Sequence, residues 1–138
     1  MDSMAGPVEP GLDHADSPNV QVVKDTFEVL GEGGLEAAIE HLLRHSHDDV
    51  EFAPYIGEGV VLRGPDEVRA FYRGQIESGT VLTARPSSIE ESGDEVVVNG
   101  SLRVLRPTGG FAESQVSWTY RFRDGLLQEV RGGPRRLA

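Results

Sequence analysis

The sequence contains no cysteine and only one lysine. Without cysteine, disulfide bonds, thiolate nucleophiles and thiolate metal sites are excluded. The same absence fits a reducing compartment, and we expect a cytoplasmic location. A Schiff-base mechanism would have to use Lys24, which we place on the polar side of the first predicted helix.

The chain also lacks a long apolar run and a charged-then-apolar leader. We therefore expect neither a membrane span nor a secretion signal. The net charge is −10, and an acidic surface repels phosphate backbones, so we expect no nucleic-acid partner. One basic cluster near the C-terminus is interpreted as solvated; it consists of Arg131, Arg135 and Arg136.

The 138 residues are enough for one domain with one hydrophobic core. Residues 1–18 contain three prolines and four acidic residues but no lysine or arginine, which predicts a solvated acidic tail. The predicted domain spans residues 19–132, and residues 133–138 are predicted to form a flexible C-terminus.

Apolar spacing predicts three helices in the first half of the domain. Asn19 is expected to cap the first helix, which ends at the glycines from Gly31 to Gly34. The second helix carries one apolar stripe from Leu35 to Leu43. The third opens at Gly64-Pro65 and should bury one face, formed by Val68, Phe71, Tyr72 and Ile76.

Strand-like runs cover residues 50–55, 81–91, 95–106, 113–123 and 126–131. The strongest turn between them is Asp124-Gly125, because both residues can adopt positive φ in a tight hairpin. Helices in one block and long antiparallel strands in another predict an α+β fold.

Three stretches carry a resemblance to a known family: residues 48–52 (DDVEF), 62–72 (LRGPDEVRAFY) and 121–127 (RFRDGLL). Together with the order of elements, they resemble the SnoaL-like branch of the nuclear transport factor 2-like superfamily, from about Asn19 to Gly132. The resemblance implies a curved antiparallel sheet wrapped around three helices, a conical pocket for a small apolar molecule, no cofactor, and a homodimer.

The walls of such a pocket would be aromatic. In the run 113–123, Val116, Trp118, Tyr120 and Phe122 alternate with polar residues, so one apolar face should point to the core and pocket. For Trp118, plain core packing and a pocket wall are both open. The candidate substrate-binding residues are Phe27, Tyr55, Tyr72, Trp118 and Tyr120.

Ketosteroid isomerases are relatives that need a carboxylate base and two acidic hydrogen-bond donors. At the corresponding positions this sequence has Phe27, Ala53 and Trp118, none of which is a base or an oxyanion donor of that kind. The resemblance therefore does not imply steroid isomerisation by the familiar route.

Other proton carriers remain candidates, since related cyclases use an acid/base carboxylate. We consider Glu51, Glu58, Glu113 and His47 as catalytic candidates. The alternative is that each is a solvated or paired surface group, and for Glu113 the pair would be a cross-strand contact with Arg103. The histidines near residues 41–47 resemble a metal set by composition only, so we expect no metal.

Three functions stay open. The protein could be a cofactor-free isomerase, cyclase or hydrolase, a non-catalytic ligand-binding module, or a structural dimer whose pocket its own side chains fill. A carboxylate or histidine that reaches an open cavity would favour the enzyme. A closed and wholly apolar interior would favour the structural dimer.

Overall fold

A computed structural model describes residues 16–55 and 59–134 of the chain. Most of the predicted acidic tail, the predicted candidate Glu58 and residues 135–138 lie outside the described residues. The elements run in the order α1 (Pro18–Arg44), β1 (Ser46–Ala53), β2 (Leu62–Arg63), α2 (Gly64–Glu77), β3 (Val81–Ser92), β4 (Glu95–Leu105), β5 (Phe111–Arg123) and β6 (Leu126–Pro134). The fold is α+β. None of the helices in the described ranges is long and apolar enough to cross a membrane.

Two helices form, not the three that the sequence predicts. The first two predicted helices join in α1, where Gly34 alone leaves the helical conformation, with φ 89° and ψ 179°. Positive φ costs glycine little because it has no Cβ, so the chain kinks there and resumes the helix at once.

The start of α1 also differs from the prediction. Ser17, not Asn19, is the N-cap, and its side-chain oxygen accepts a hydrogen bond from the Val20 amide at 3.1 Å. Pro18 explains the shift, because proline is favoured at the first helical position, where its missing N–H is not needed.

The sheet has six strands in the order β2-β1-β6-β5-β4-β3. It is mixed, since β1 and β6 are parallel while every other neighbouring pair is antiparallel. The prediction of an antiparallel sheet is therefore confirmed for four strand pairs and wrong for the pair of β1 and β6. A parallel pair needs a long connection, and here α2 and the meander from β3 to β5 lie between the two strands.

The meander itself follows the sequence prediction closely. The Asp124-Gly125 turn has positive φ at both residues, 54° and 81°, as a tight hairpin requires. In β4, the even-numbered residues from Val96 to Val104 are buried and face the helices. A bulge between Pro86 and Ser88 bends β3 beside Gly100 of β4.

The main core lies between the helices and the concave face of the sheet, and a smaller cluster of Leu102, Val104 and Val116 lies beside it. The fully buried members of the main core come from every layer, with Val23 in α1, Val50 in β1, Val68 in α2, Val98 in β4 and Leu127 in β6. Ile76, predicted to be buried, is 38% exposed because the last turn of α2 borders a surface groove.

Candidate functional site

An apolar cavity, which we call the inner cavity, lies between α1, α2 and the concave face of the sheet. Its volume is about 110 Å³. All five predicted wall residues line it, namely Phe27, Tyr55, Tyr72, Trp118 and Tyr120. The remaining lining is mostly aliphatic and comes from α1, β1 with the adjacent Pro54, β3, β4 and β6: Thr26, Leu30, Leu35, Ile39, Leu42, Phe52, Pro54, Leu82, Ala84, Leu102, Val130 and Gly132.

Trp118 stands at the centre of the aromatic wall. On β5 it faces inward between Val116 and Tyr120, and in the sheet it pairs with Val98 on one side and Gly132 on the other. Its ring centroid lies 5.4 Å from that of Phe27, at an interplanar angle of 59°. Tilted rings at this separation attract each other, so the contact ties α1 to the sheet.

Three phenols bring polar groups to this cavity, and burial changes the pKa of two of them, Tyr72 and Tyr120. Burial raises the pKa of Tyr72 and of Tyr120, and the nearby Tyr72 charge raises that of Tyr120 further. Both phenols therefore stay protonated at neutral pH and can donate hydrogen bonds. Tyr120 is only 4% exposed, yet within the described ranges neither hydroxyl has a hydrogen-bond partner. A buried donor without a partner carries an energetic cost that a bound acceptor can remove.

A threonine–histidine pair stands behind one wall of the cavity. Thr26 lines the cavity and is 6% exposed. Its Oγ1 donates to the Val22 carbonyl at 2.8 Å and lies 2.9 Å from Nδ1 of His41. The pKa of His41 is lowered by desolvation, by His45 (rings 4.9 Å apart) and by Arg44, against the opposing charge of Asp25. The imidazole is therefore largely neutral near pH 7 and able to accept a proton.

The structure places the catalytic candidates with described side chains outside the inner cavity. Glu51 lies between two buried residues of β1, Val50 and Phe52, so its side chain is on the opposite face of the sheet. There it pairs with Arg63 at 3.2 Å. The alternation of Val50 and Phe52 was the sequence signal that would have placed it there.

Glu113 and His47 are also engaged elsewhere. Glu113 forms the cross-strand ion pair with Arg103 at 2.9 Å, and the Arg103 guanidinium lies over the ring of Phe111. Nε2 of His47 lies 2.6 Å from the carbonyl oxygen of Arg123. Among the residues that the structure describes, no cluster of three or more His, Asp or Glu could hold a metal ion.

Sequence reasoning missed the Thr26–His41 pair. A signal was available, because Thr26 follows Val23 by three residues and precedes Leu30 by four, within the buried stripe of α1. A threonine in such a stripe needs a hydrogen-bond partner. The kink at Gly34 lies between it and His41, and spacing along the sequence could not predict that they meet.

The family model for the SnoaL-like domain matches residues 23–130, and the chain belongs to this family. No curated protein matches the sequence. Solved structures share the fold. A nuclear transport factor 2-like protein of unknown function from Burkholderia pseudomallei K96243 is 25% identical, with a TM-score of 0.73, and the match covers 87% of this chain and 92% of that one.

Two further structures are similar. The Δ5-3-ketosteroid isomerase from Mycobacterium sp. is 26% identical, with a TM-score of 0.68 and coverage of 87% of this chain and 95% of that one. A candidate SnoaL-like polyketide cyclase from Jannaschia sp. CCS1 is 18% identical, with a TM-score of 0.67 and coverage of 84% of both chains. The fold is thus that of the nuclear transport factor 2-like proteins.

The packing of Trp118 leads to a stability prediction. Trp118→Ala should lower the free energy of unfolding by about 3 kcal/mol, near the lower end for tryptophan truncation because the residue keeps some exposed surface. Trp118→Phe, the matched control, should lose much less. Urea unfolding followed by circular dichroism measures both. The sole tryptophan should emit at short wavelength in the folded wild type, and water-like emission would contradict its placement in the cavity wall.

Proposed function

We propose that this protein binds a small, mostly apolar molecule that carries a hydrogen-bond acceptor. The observation that supports this proposal is that two desolvated phenols at an apolar cavity, Tyr72 and Tyr120, have no hydrogen-bond partner among the described residues, and Tyr120 is the more deeply buried. An acceptor such as a carbonyl oxygen would satisfy one of these donors, while Phe27 and Trp118 would pack against the ligand's ring.

The size of the cavity limits what it can enclose. A dry, apolar protein cavity of about 150 Å³ holds benzene. The inner cavity, at about 110 Å³, therefore suits a group of one ring at most without some adjustment of its walls. A larger ligand would have to extend out of it.

Binding without catalysis is favoured over carboxylate chemistry. Among the described residues, no carboxylate lines the inner cavity. Phe27 and Trp118, at the positions of two isomerase donors, contribute apolar rings to its wall. The ketosteroid isomerase likeness, at 26% identity, accordingly does not supply a base for that reaction.

The binding proposal predicts a selective effect of one oxygen atom. Tyr120→Phe should weaken the binding of acetophenone by about fivefold, because one hydrogen bond is worth about 1 kcal/mol. It should leave cumene binding unchanged, since this probe has similar shape and no acceptor. Quenching of Trp118 fluorescence during titration measures both affinities. If neither probe binds the wild type, the proposed function is contradicted. If Tyr120→Phe lowers the affinity for both probes equally, the Tyr120 hydroxyl does not bind the acceptor of the ligand.

A cofactor-free isomerase, cyclase or hydrolase is the second candidate, and the Thr26–His41 contact is the observation that favours it. Because the Thr26 hydroxyl donates its only proton to the Val22 carbonyl, Nδ1 of His41 donates to Thr26 Oγ1, and the lone pair on Nε2 is the one that can accept a proton behind the cavity wall. Neutral His41 would thus take the role that the outward-facing carboxylates cannot fill.

Exchange of protons beside a carbonyl tests this second candidate, because isomerases and cyclases share that step. In D₂O, the protein should accelerate exchange of the acetophenone methyl protons, followed by NMR. His41→Gln should reduce the acceleration about 100-fold, the lower end for general acid–base catalysis. The rate should fall as pH drops through the lowered pKa of His41, because the imidazolium cannot accept a proton. His47→Gln is the matched control, since His47 does not line the inner cavity. If the wild type does not accelerate the exchange, the second candidate is contradicted and only the binding function remains.

We also propose that the protein is a homodimer formed through the outer face of the sheet. Val81, Leu105 and Phe111 are aligned across β3, β4 and β5, and they are 54%, 45% and 62% exposed. A row of exposed apolar groups on one face suits a protein contact.

The dimer proposal predicts a dimer mass by light scattering at micromolar concentration. Phe111→Asp should shift the mass toward the monomer, because it would place a charge in the apolar row beside Glu113. Leu126→Asp, at the β5–β6 turn, should not. A monomer mass for the wild type would contradict the proposal.

A further inference from the structure

A second, larger cavity adjoins the inner cavity. This outer chamber has a volume of about 540 Å³. Four residues line both cavities, namely Pro54, Tyr55, Leu102 and Gly132. A Cβ on Gly132 would lie 2.9 Å from the backbone nitrogen of Tyr55, so only glycine allows Tyr55 to approach β6 this closely. Tyr55 therefore stands between the two cavities as a shared wall.

The outer chamber differs from the inner cavity in charge. Its lining is mostly small and apolar, and Arg106 is the only charged residue among the described residues that line either cavity. Arg106 comes directly after β4, two residues beyond Val104, and is an exposed cation at the edge of the chamber.

Arg106 is also free to bind an anion. Within residues 16–55 and 59–134, no carboxylate forms an ion pair with it, whereas Arg103, three residues earlier on the opposite face, pairs with Glu113. A guanidinium at the rim of an apolar chamber offers several donors in a fixed plane, which suits a carboxylate. The net charge of −10 opposes anions at long range, but salt at physiological strength screens that repulsion beyond about 8 Å.

We infer that the ligand is an amphipathic organic acid that occupies both cavities, with its ring in the inner cavity and its carboxylate beside Arg106 in the outer chamber. This inference rests on the proposed binding function. The inner cavity accounts for one ring, and the outer chamber holds the connecting chain and the charge.

A series of ω-phenylalkanoic acids, from phenylacetate to 6-phenylhexanoate, tests the inference against the matching amides. All members carry the same ring, so Trp118 quenching reports its binding to the inner cavity in each case. Short acids should bind no better than their amides. Once the chain is long enough to pass Tyr55, the acid should bind about tenfold better than its amide, the ratio expected for one hydrogen bond to a charged group.

Two variants separate the role of Arg106 from a general effect of charge. Arg106→Gln should abolish the preference for the long acid over its amide, because the acid loses its charged partner. Arg103→Gln is the matched control, since it removes the same charge three residues earlier, from the outer face of β4, where Arg103 pairs with Glu113. It should preserve the preference.

The possible results are distinct. If long acids and amides bind equally to the wild type, or if Arg106→Gln keeps the preference, the inference is overturned while the binding function stands. If neither series quenches Trp118, the binding function fails and the inference fails with it. If phenylacetate already binds better than its amide, its carboxylate is bound at a site other than Arg106, and the inference is overturned.

Discussion

The register between β4 and β5 is the constraint on which the rest of the structure depends. It sets Val98 opposite Trp118 and Val96 opposite Tyr120, and all four side chains face the helices. A slip by one residue would turn the apolar set of one of the two strands to the outside. Because each valine here is fully buried, such a slip would expose much of the core, and the register is therefore strongly specified.

The same alternation decides on which face of the sheet each polar side chain lies. Charged residues of the outer face, such as Glu51 and Glu113, find arginine partners there and keep contact with water. A lone carboxylate on the inner face would lose the hydration of its charge without a partner, whereas a neutral phenol loses only a hydrogen bond. The cavity consequently combines apolar walls with neutral donors, a combination that suits recognition of a ligand more readily than proton abstraction by a carboxylate.

Much of the fold could be predicted from local pattern. The alternation of apolar and polar residues predicted β4 and β5, Asp124-Gly125 predicted the hairpin, and Pro65 predicted the start of α2. The errors have local causes as well. Three glycines predicted the end of a helix, but only Gly34 departs from helical geometry, so one kinked helix replaced two. Parallel pairing of β1 with β6 could not be read from strand composition, because it depends on where a distant strand returns.

The sequence by itself determined most of the residues that lie inside, with Ile76 as an exception. In β5, the alternation of apolar residues correctly predicted that Trp118 and Tyr120 face the core and pocket. Only the tertiary structure decided what the polar residues meet there. Thr26 and His41 lie on opposite sides of the Gly34 kink, and Arg106 reaches the chamber beyond Tyr55 through the order of the strands. Such contacts depend on the distances between elements that are far apart in the chain, and the local pattern of residues does not encode those distances.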